Sequence, residues 1–370
     1  MRKGWEYKSF TKVCDVTYGY AFDSKCFTDN PEDTPLIRIR DVKRGFSETF
    51  YNGEIPDGYK VMEGDYLVGM DGEFNIGQWG KRPGVLNQRV CKMNSSSSEL
   101  INQYMYYFMK VCLKSIEDET PFVTVKHLSA KRINQIQIPL PPLSTQLAIV
   151  SELDKINELI RLKKEQLKDF DNLAQSLFYE MFGEGKCMRK KLKDIVKIQS
   201  GQVSPLEEPY SEMIHVGPAN IESNTGRLLN LKTAKEENLI SGKYLFNSSM
   251  VLYSKIRPNL NKVTIPSFEG ICSADMYPII PLECIDKNFL LFLLKQKEFL
   301  TYAISNSGRA NIPKINREAL LNYEAILPPL SLQRLFAQRI EQIEREKSEV
   351  QKSILDLETL LASRMQYWFE

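Results

Sequence analysis

The chain has 370 residues, room for two domains of ordinary size, each able to bury its own core. Hydrophobic residues make up 42% and charged residues 26%, a globular composition, and the formal net charge of +2 excludes a strongly basic or strongly acidic body. No apolar stretch approaches a membrane span, and the start MRKGWEYKSF lacks a signal-type apolar core, so the expected setting is the cytoplasm with no membrane partner.

From the N-terminus, the first half opens with SFTKVCDVTYG (9–19). Next, Arg38 and Arg40 alternate with Ile37 and Ile39, which predicts a strand carrying both arginines on one face, as readers of DNA or as plain surface charges. GDYLVGMDG (64–72) then runs into MDGEFNIGQWGKRPG (70–84), rich in glycine and in groups that read base edges or hold phosphates. Asn75, Gln78, Lys81 and Arg82 are candidate DNA contacts there, and Trp79 is a candidate stacking or wedge residue. The plainer reading is that Gly72, Gly77, Gly80 and Gly84 mark tight turns with solvated polar groups. A late apolar segment, YMYYFMKVC, precedes TPFVTVK (120–126), which adds Lys126.

At LPPLSTQ (140–146) the pattern changes. From Ile149 onward, Leu153, Ile156, Ile160, Lys163, Leu167, Phe170, Ala174, Leu177 and Met181 follow at alternating spacings of four and three. With only Lys163 polar, this is a heptad seam. The proline pair at 141–142 stands where a missing amide donor costs a helix little, and Ser144 is an expected N-cap. The helix should span roughly 36 residues, on the order of 54 Å.

The second half repeats the first. KLKDIVKIQSG (191–201) mirrors the opening segment, FLLFLLKQK mirrors the late apolar one, and LPPLSLQ (327–333) returns at an offset of 187 residues. Its seam runs Phe336, Ile340, Ile343, Lys347, Val350, Ile354, Leu357, Leu361, Arg364, Trp368, with Ser331 as the matching N-cap. Two such helices need partners, and pairing within the chain is preferred over a homodimeric coil. The intervening globular domain provides a return path that makes the helices antiparallel. In the middle of this half, SKIRPNLNK offers Lys255, Arg257, Asn259, Asn261 and Lys262, and SNSGRAN (305–311) offers Arg309 and Asn311, its first-half counterpart being TPFVTVK.

The expected divisions are therefore 1–142 and 186–329 for the globular parts, 143–185 and 330–370 for the helices. The globular parts carry 19 Lys and Arg against 18 Asp and Glu, and 19 against 14, a modest positive footprint. Seven scattered cysteines without a CxxC pair, and two distant histidines, His127 and His215, give no zinc pattern and suit a reducing compartment. Both proline pairs are flanked by leucine, unlike the [ND]PP[FYW] loop of an adenine methyltransferase, and neither a Walker A sequence nor a glycine-rich nucleoside turn is visible. Pro31-Glu32 with Asp41-Val42-Lys43 loosely matches a Mg-dependent nuclease pattern, which keeps a stand-alone nuclease as the rival reading.

With its two P-L-P-P-L-x-x-Q segments, PLPPLSTQ complete and ILPPLSLQ departing only at Ile326, the chain resembles the specificity subunits of type I restriction–modification systems over nearly all its length. KLKDIVKIQSG, GDYLVGMDG and MVLYSKIRPNLNKV add to the likeness. The resemblance implies an α+β fold of two target-recognition domains in pseudo-twofold arrangement, separated by an antiparallel two-helix coiled-coil spacer. It implies no catalytic centre, no metal and no cofactor in this chain. S-adenosylmethionine, ATP and Mg would be bound by partners, namely two methyltransferase subunits and restriction subunits, acting on double-stranded DNA. The unlike middle segments of the two halves predict a bipartite, non-palindromic target with half-sites about one helical turn, roughly 34 Å, apart.

Overall fold

A computed structural model describes residues 4–80, 82–120, 126–183, 187–308 and 311–370. The chain forms two compact units: Met1–Glu165 with Gln351–Glu370, and Gln166–Val350. Both mix sheets with helices, as the α+β expectation requires.

In the first unit, β1 (Glu6–Ser9) and β2 (Cys14–Tyr18) are followed by β3 (Thr34–Ile37) and a one-turn helix α1 (Ile39–Val42). Then come β4 (Tyr66–Gly69), β5 (Ile76–Gln78), β6 (Gly84–Leu86) and β7 (Val90–Ser95), and after them α2 (Asn102–Glu119), α3 (Ala130–Asn134) and β8 (Gln137–Leu140). An antiparallel sheet runs β2–β7–β4–β5, β1 pairs antiparallel with β8, and β3 pairs parallel with β6 in a second sheet. Gly77 on β5 passes under α1, where an added Cβ would lie 2.0 Å from the Val42 carbonyl oxygen. Its role is close approach and not a turn.

The 40-residue helix α4 (Leu143–Phe182) leads to the second unit. There β9 (Arg189–Lys191), β10 (Val196–Ile198), β11 (Ile214–Val216), β12 (Val251–Ser254), β13 (Val263–Thr264), β14 (Gly270–Cys272) and β15 (Met276–Pro281) precede α5 (Lys287–Lys295) and α6 (Lys297–Ser305). Next come α7 (Arg317–Asn322), β16 (Glu324–Ile326) and a second 40-residue helix, α8 (Leu330–Phe369). The pairing of the first unit recurs: β10–β15–β12–β13 antiparallel, β9 with β16 antiparallel, β11 with β14 parallel.

All twenty heptad seam positions are buried or half-buried. Leu153, Ile160, Val350 and Ile354 are buried, whereas Leu167, Phe170, Ile340 and Leu357 are half-buried. Within each unit the two helices run antiparallel. In the first, Glu152 takes the Arg364 guanidinium and accepts a hydrogen bond from Trp368 Nε1 (3.0 Å), while Lys164 meets Glu358 at 2.7 Å. In the second, Lys347 meets Asp171 at 2.7 Å and the Phe336 ring packs on Phe178 and Phe182. Arg364 and Lys347, the polar interruptions of the α8 seam, thus have carboxylate partners, which disfavours a slipped register.

The N-cap expectation is corrected. Both helices start at the leucine after the proline pair, and the carbonyls of Pro142 and Pro329 accept the first helical bonds, so Ser144 and Ser331 lie inside the first turn, exposed. What fixes the helix starts is the glutamine of each LPPLSxQ. Gln146 is fully buried, donating Nε2–H to the Glu99 and Pro141 carbonyls and accepting from the Ile101 N–H just before α2. Gln333, also fully buried, does the same with Cys284, Pro328 and the Asp286 N–H just before α5. One residue type therefore ties each long helix to the late helix of its own unit.

Candidate nucleic-acid interface

In each unit a hairpin projects from the antiparallel sheet: residues 70–75 join β4 to β5, and 255–262 join β12 to β13. From sequence these segments look unrelated. Their backbones are nonetheless mounted alike. Met70 donates its N–H to the Arg89 carbonyl and accepts from Leu128, and Gly72 donates to Lys126. Lys255 donates to Asp275 and accepts from Ile315, and Arg257 donates to Pro313. Met70 thus corresponds to Lys255, Gly72 to Arg257, and the bridge pair Asp71–His127 to Ile256–Lys314. Residues 126–128 and 313–315, downstream of the late helices, lie along the hairpins of their own units.

At the first tip, Asp71 holds two side chains, His127 Nδ1 at 2.5 Å and Arg89 Nε at 3.4 Å, both exposed. Beside it the Lys43 ammonium, 2.7 Å away, keeps the Glu73 carboxyl below its ordinary range. The Asp71–His127–Arg89 group was not legible in sequence, because its members stand 18 to 56 residues from Asp71 and meet only through the sheet.

Several of the residues singled out from sequence serve the fold. Trp79 is 3% exposed, packed with Ile37, Val42, Leu67 and Leu86, and its Nε1 donates to the Arg82 carbonyl (2.7 Å), so no ring face is left for stacking on a base. Arg82 donates its guanidinium to the carbonyls of Pro31 and Asp33 and lies over the Phe50 ring, bracing a turn. Lys126 donates its amine to the Glu117 carbonyl at the end of α2, a C-terminal cap. Asn75 folds onto the Glu73 carbonyl (3.0 Å), and Gln78, exposed, reaches the Gly64 carbonyl (3.3 Å). Lys255 is bound to the Ala274 carbonyl, Lys262 to the Pro218 carbonyl (2.7 Å), and buried Asn261 to the Lys295 carbonyl (3.4 Å).

The strand reading of Arg38 and Arg40 is also corrected: β3 stops at Ile37 and α1 begins at Ile39, because Asp41 folds back to accept the Arg38 N–H (2.9 Å). Arg40 turns to Thr49 (2.7 Å), while the exposed Arg38 side chain makes no such bond. Lys81 and Arg309 lie outside the described residues. Among the described residues, the side chains of Arg38, Arg257, Asn259 and Asn311 are exposed without a hydrogen bond or ion pair, and so is Lys314, which sequence reading passed over. Three of these, Arg257, Asn259 and Lys314, sit on or against the second hairpin.

The nuclease pattern fares differently. Asp41 is fully buried, its Oδ2 accepting from the Arg38 N–H and the Ser47 hydroxyl (3.0 Å), and Lys43 is held by Glu73. A carboxylate so occupied acts as a local cap. Among the described residues no three His, Cys, Asp or Glu side chains are grouped as metal ligands would be, and no helix is long and apolar enough to cross a membrane. His215 is buried, 2.7 Å from Glu237, in a structural setting.

A family model described as the type I restriction modification DNA specificity domain matches twice, at residues 2–169 and 185–358. The chain belongs to that family. Among curated relatives, the type I restriction enzyme EcoBI specificity subunit of Escherichia coli is 38% identical over 171 residues, 46% of this chain and 36% of that protein. The EcoDI specificity subunit of the same organism is 28% identical over 291 residues, 68% of this chain and 65% of that protein. The MjaVIII specificity subunit of Methanocaldococcus jannaschii is 26% identical over 342 residues, covering 81% and 79%. The chain thus spans about a third and just under two thirds of the lengths of the two E. coli relatives. Two solved structures share the fold at 15% identity. One is a type I restriction-modification system S subunit from M. genitalium, with a TM-score of 0.57 and 99% and 96% of the two chains covered. The other is a chain from work on complex assembly and conformational transition of the type I R-M system, with a TM-score of 0.63, covering 100% and 98%. In this specificity family member the duplicated unit, the buried glutamines and the paired long helices are one design repeated.

Proposed function

We propose that the chain is the DNA-reading subunit of a type I restriction–modification complex. It recognises a bipartite, asymmetric site in double-stranded DNA, one half per unit, and positions two methyltransferase subunits for adenine methylation. With restriction subunits it directs cleavage. One observation carries this reading: the same scaffold is built twice, with equivalent hairpin mounts that bear different residues, Gly72 and Asp71 at one tip, Arg257 and Ile256 at the other. A repeated mount with unlike tips suits two unlike half-sites. The chemistry belongs to the partners, which would bind S-adenosylmethionine, ATP and Mg in the cytoplasm and flip the target adenine from the stack. The chain itself has no catalytic role.

The test is methylome sequencing of cells expressing the methyltransferase partner with and without this chain. A split motif with a fixed gap, present only with the chain, is the expected result. Exchanging residues 186–329 for another recognition domain should change one half of the motif only. A continuous or palindromic motif, or a swap that alters both halves, would refute the proposal.

A further inference from the structure

Arg257 stands in a conformation that its side chain makes costly. Its φ is 47° and ψ 60°, in the left-handed region, where a non-glycine residue crowds the following carbonyl. The corresponding residue of the first unit, Gly72, has φ 74° and the same backbone bond to the flanking segment: Gly72 N–H to Lys126, Arg257 N–H to Pro313 (2.7 Å). The repeat supplies its own control. Glycine makes this turn without strain and holds the same mount, so the turn has no need of a side chain here.

Nor does the arginine hold the fold together in another way. Its side chain is exposed, and its guanidinium has no hydrogen bond or ion pair among the described residues. Its main chain, by contrast, is fixed on both sides: the N–H on Pro313 and the carbonyl accepting from Leu260 (2.9 Å), with Asn261 buried behind it, also left-handed at φ 48°. A flexible cation is enough to meet a phosphate. A rigidly based one is needed to reach a particular base edge, where the planar fork of arginine matches the two acceptors of guanine.

We propose that Arg257 is a specificity-determining DNA contact of the second unit, a strained residue retained to read one base pair of its half-site. The inference rests on the DNA-reading function proposed above. It makes Arg257 the leading contact among the exposed groups around this hairpin, with Asn259 and Lys314 beside it.

The informative variant is Arg257→Gly, because it installs the first unit's own residue and relieves the strain. In the full chain assembled with its methyltransferase, the melting temperature should hold or rise by about 2–4 °C. Affinity for a duplex carrying the methylated motif should fall by roughly 10- to 100-fold. The methylation motif should become degenerate at one base pair of one half-site, the other half staying intact. Arg257→Asn, which tolerates the same backbone, should disturb the same base pair. A lowered melting temperature in Arg257→Gly would show the arginine to be structural and overturn the proposal. So would an unchanged motif, or a loss of affinity equal on all sequences, which marks a phosphate contact. If the wild-type complex itself methylates no defined motif, the DNA-reading function fails first. If it does and the variant motif is unaltered, the assignment of Arg257 alone fails.

Discussion

Replacing Gln146 with leucine removes one amide that three backbone groups depend on. The Ile101 N–H loses its acceptor, and the Glu99 and Pro141 carbonyls lose a donor. Because Gln146 is fully buried, water cannot take its place. An orphaned buried N–H costs about 1–3 kcal/mol, and each carbonyl, with a second lone pair to use, about 0.5–1.5 kcal/mol. Leucine recovers about 1 kcal/mol by apolar burial, leaving a net loss of about 1–5 kcal/mol. For a unit of this size that corresponds to a melting temperature lower by roughly 2–20 °C. Differential scanning calorimetry of the full chain, alongside urea unfolding to check that the m-value is unchanged, measures it. Gln333→Leu should behave alike, since its three bonds have the same chemistry in the other unit. A Gln146→Leu protein melting within 2 °C of wild type (about the resolution of such a comparison), or opposite signs at the two sites, would refute the clamp.

Trp79→Ala should destabilise the first unit by about 3–5 kcal/mol, because a core ring is lost; weakened DNA binding at an unchanged melting temperature would contradict its burial. Ile160→Asp places a carboxylate at a seam position 7% exposed and should cost several kcal/mol, read as lost helicity in circular dichroism. Burial holds the His215 imidazole below its ordinary value, against the opposing effect of its hydrogen bond to the Glu237 carboxylate. As pH falls, the unfolded chain therefore binds this proton first, so the contribution of His215 is intact above about pH 6.5 and is lost progressively below it. His215→Gln should flatten the fall in stability between pH 7.5 and 5.5 seen in wild type; an equal slope in the two proteins would remove His215 as its source.

The mixed fold of each unit and the two long helices could be read without coordinates. Their signals are local or periodic: a seam of Leu153, Ile160, Val350 and Ile354 needs only the helix period to be recognised, and LPPLSTQ against LPPLSLQ needs only comparison of the chain with itself. The glutamine closing each motif was visible too, though its role as a clamp on a distant helix start was not.

Which polar side chains are free for DNA was decided by tertiary structure alone. Trp79, Arg82 and Lys126 carry the residue types of a DNA reader, yet each is engaged by a neighbour brought from elsewhere in the fold: a core, a turn at 31–33, the end of α2. Arg38 and Arg40 share a strand-like alternation, but a buried Asp41 ends the strand between them. The equivalence of Gly72 and Arg257 is invisible in two unlike hairpin sequences, because backbone hydrogen bonds to the 126–128 and 313–315 segments define it, and those bonds carry no side-chain signature. Periodicity records how one element meets water; the availability of a single cation depends on every segment that folds against it.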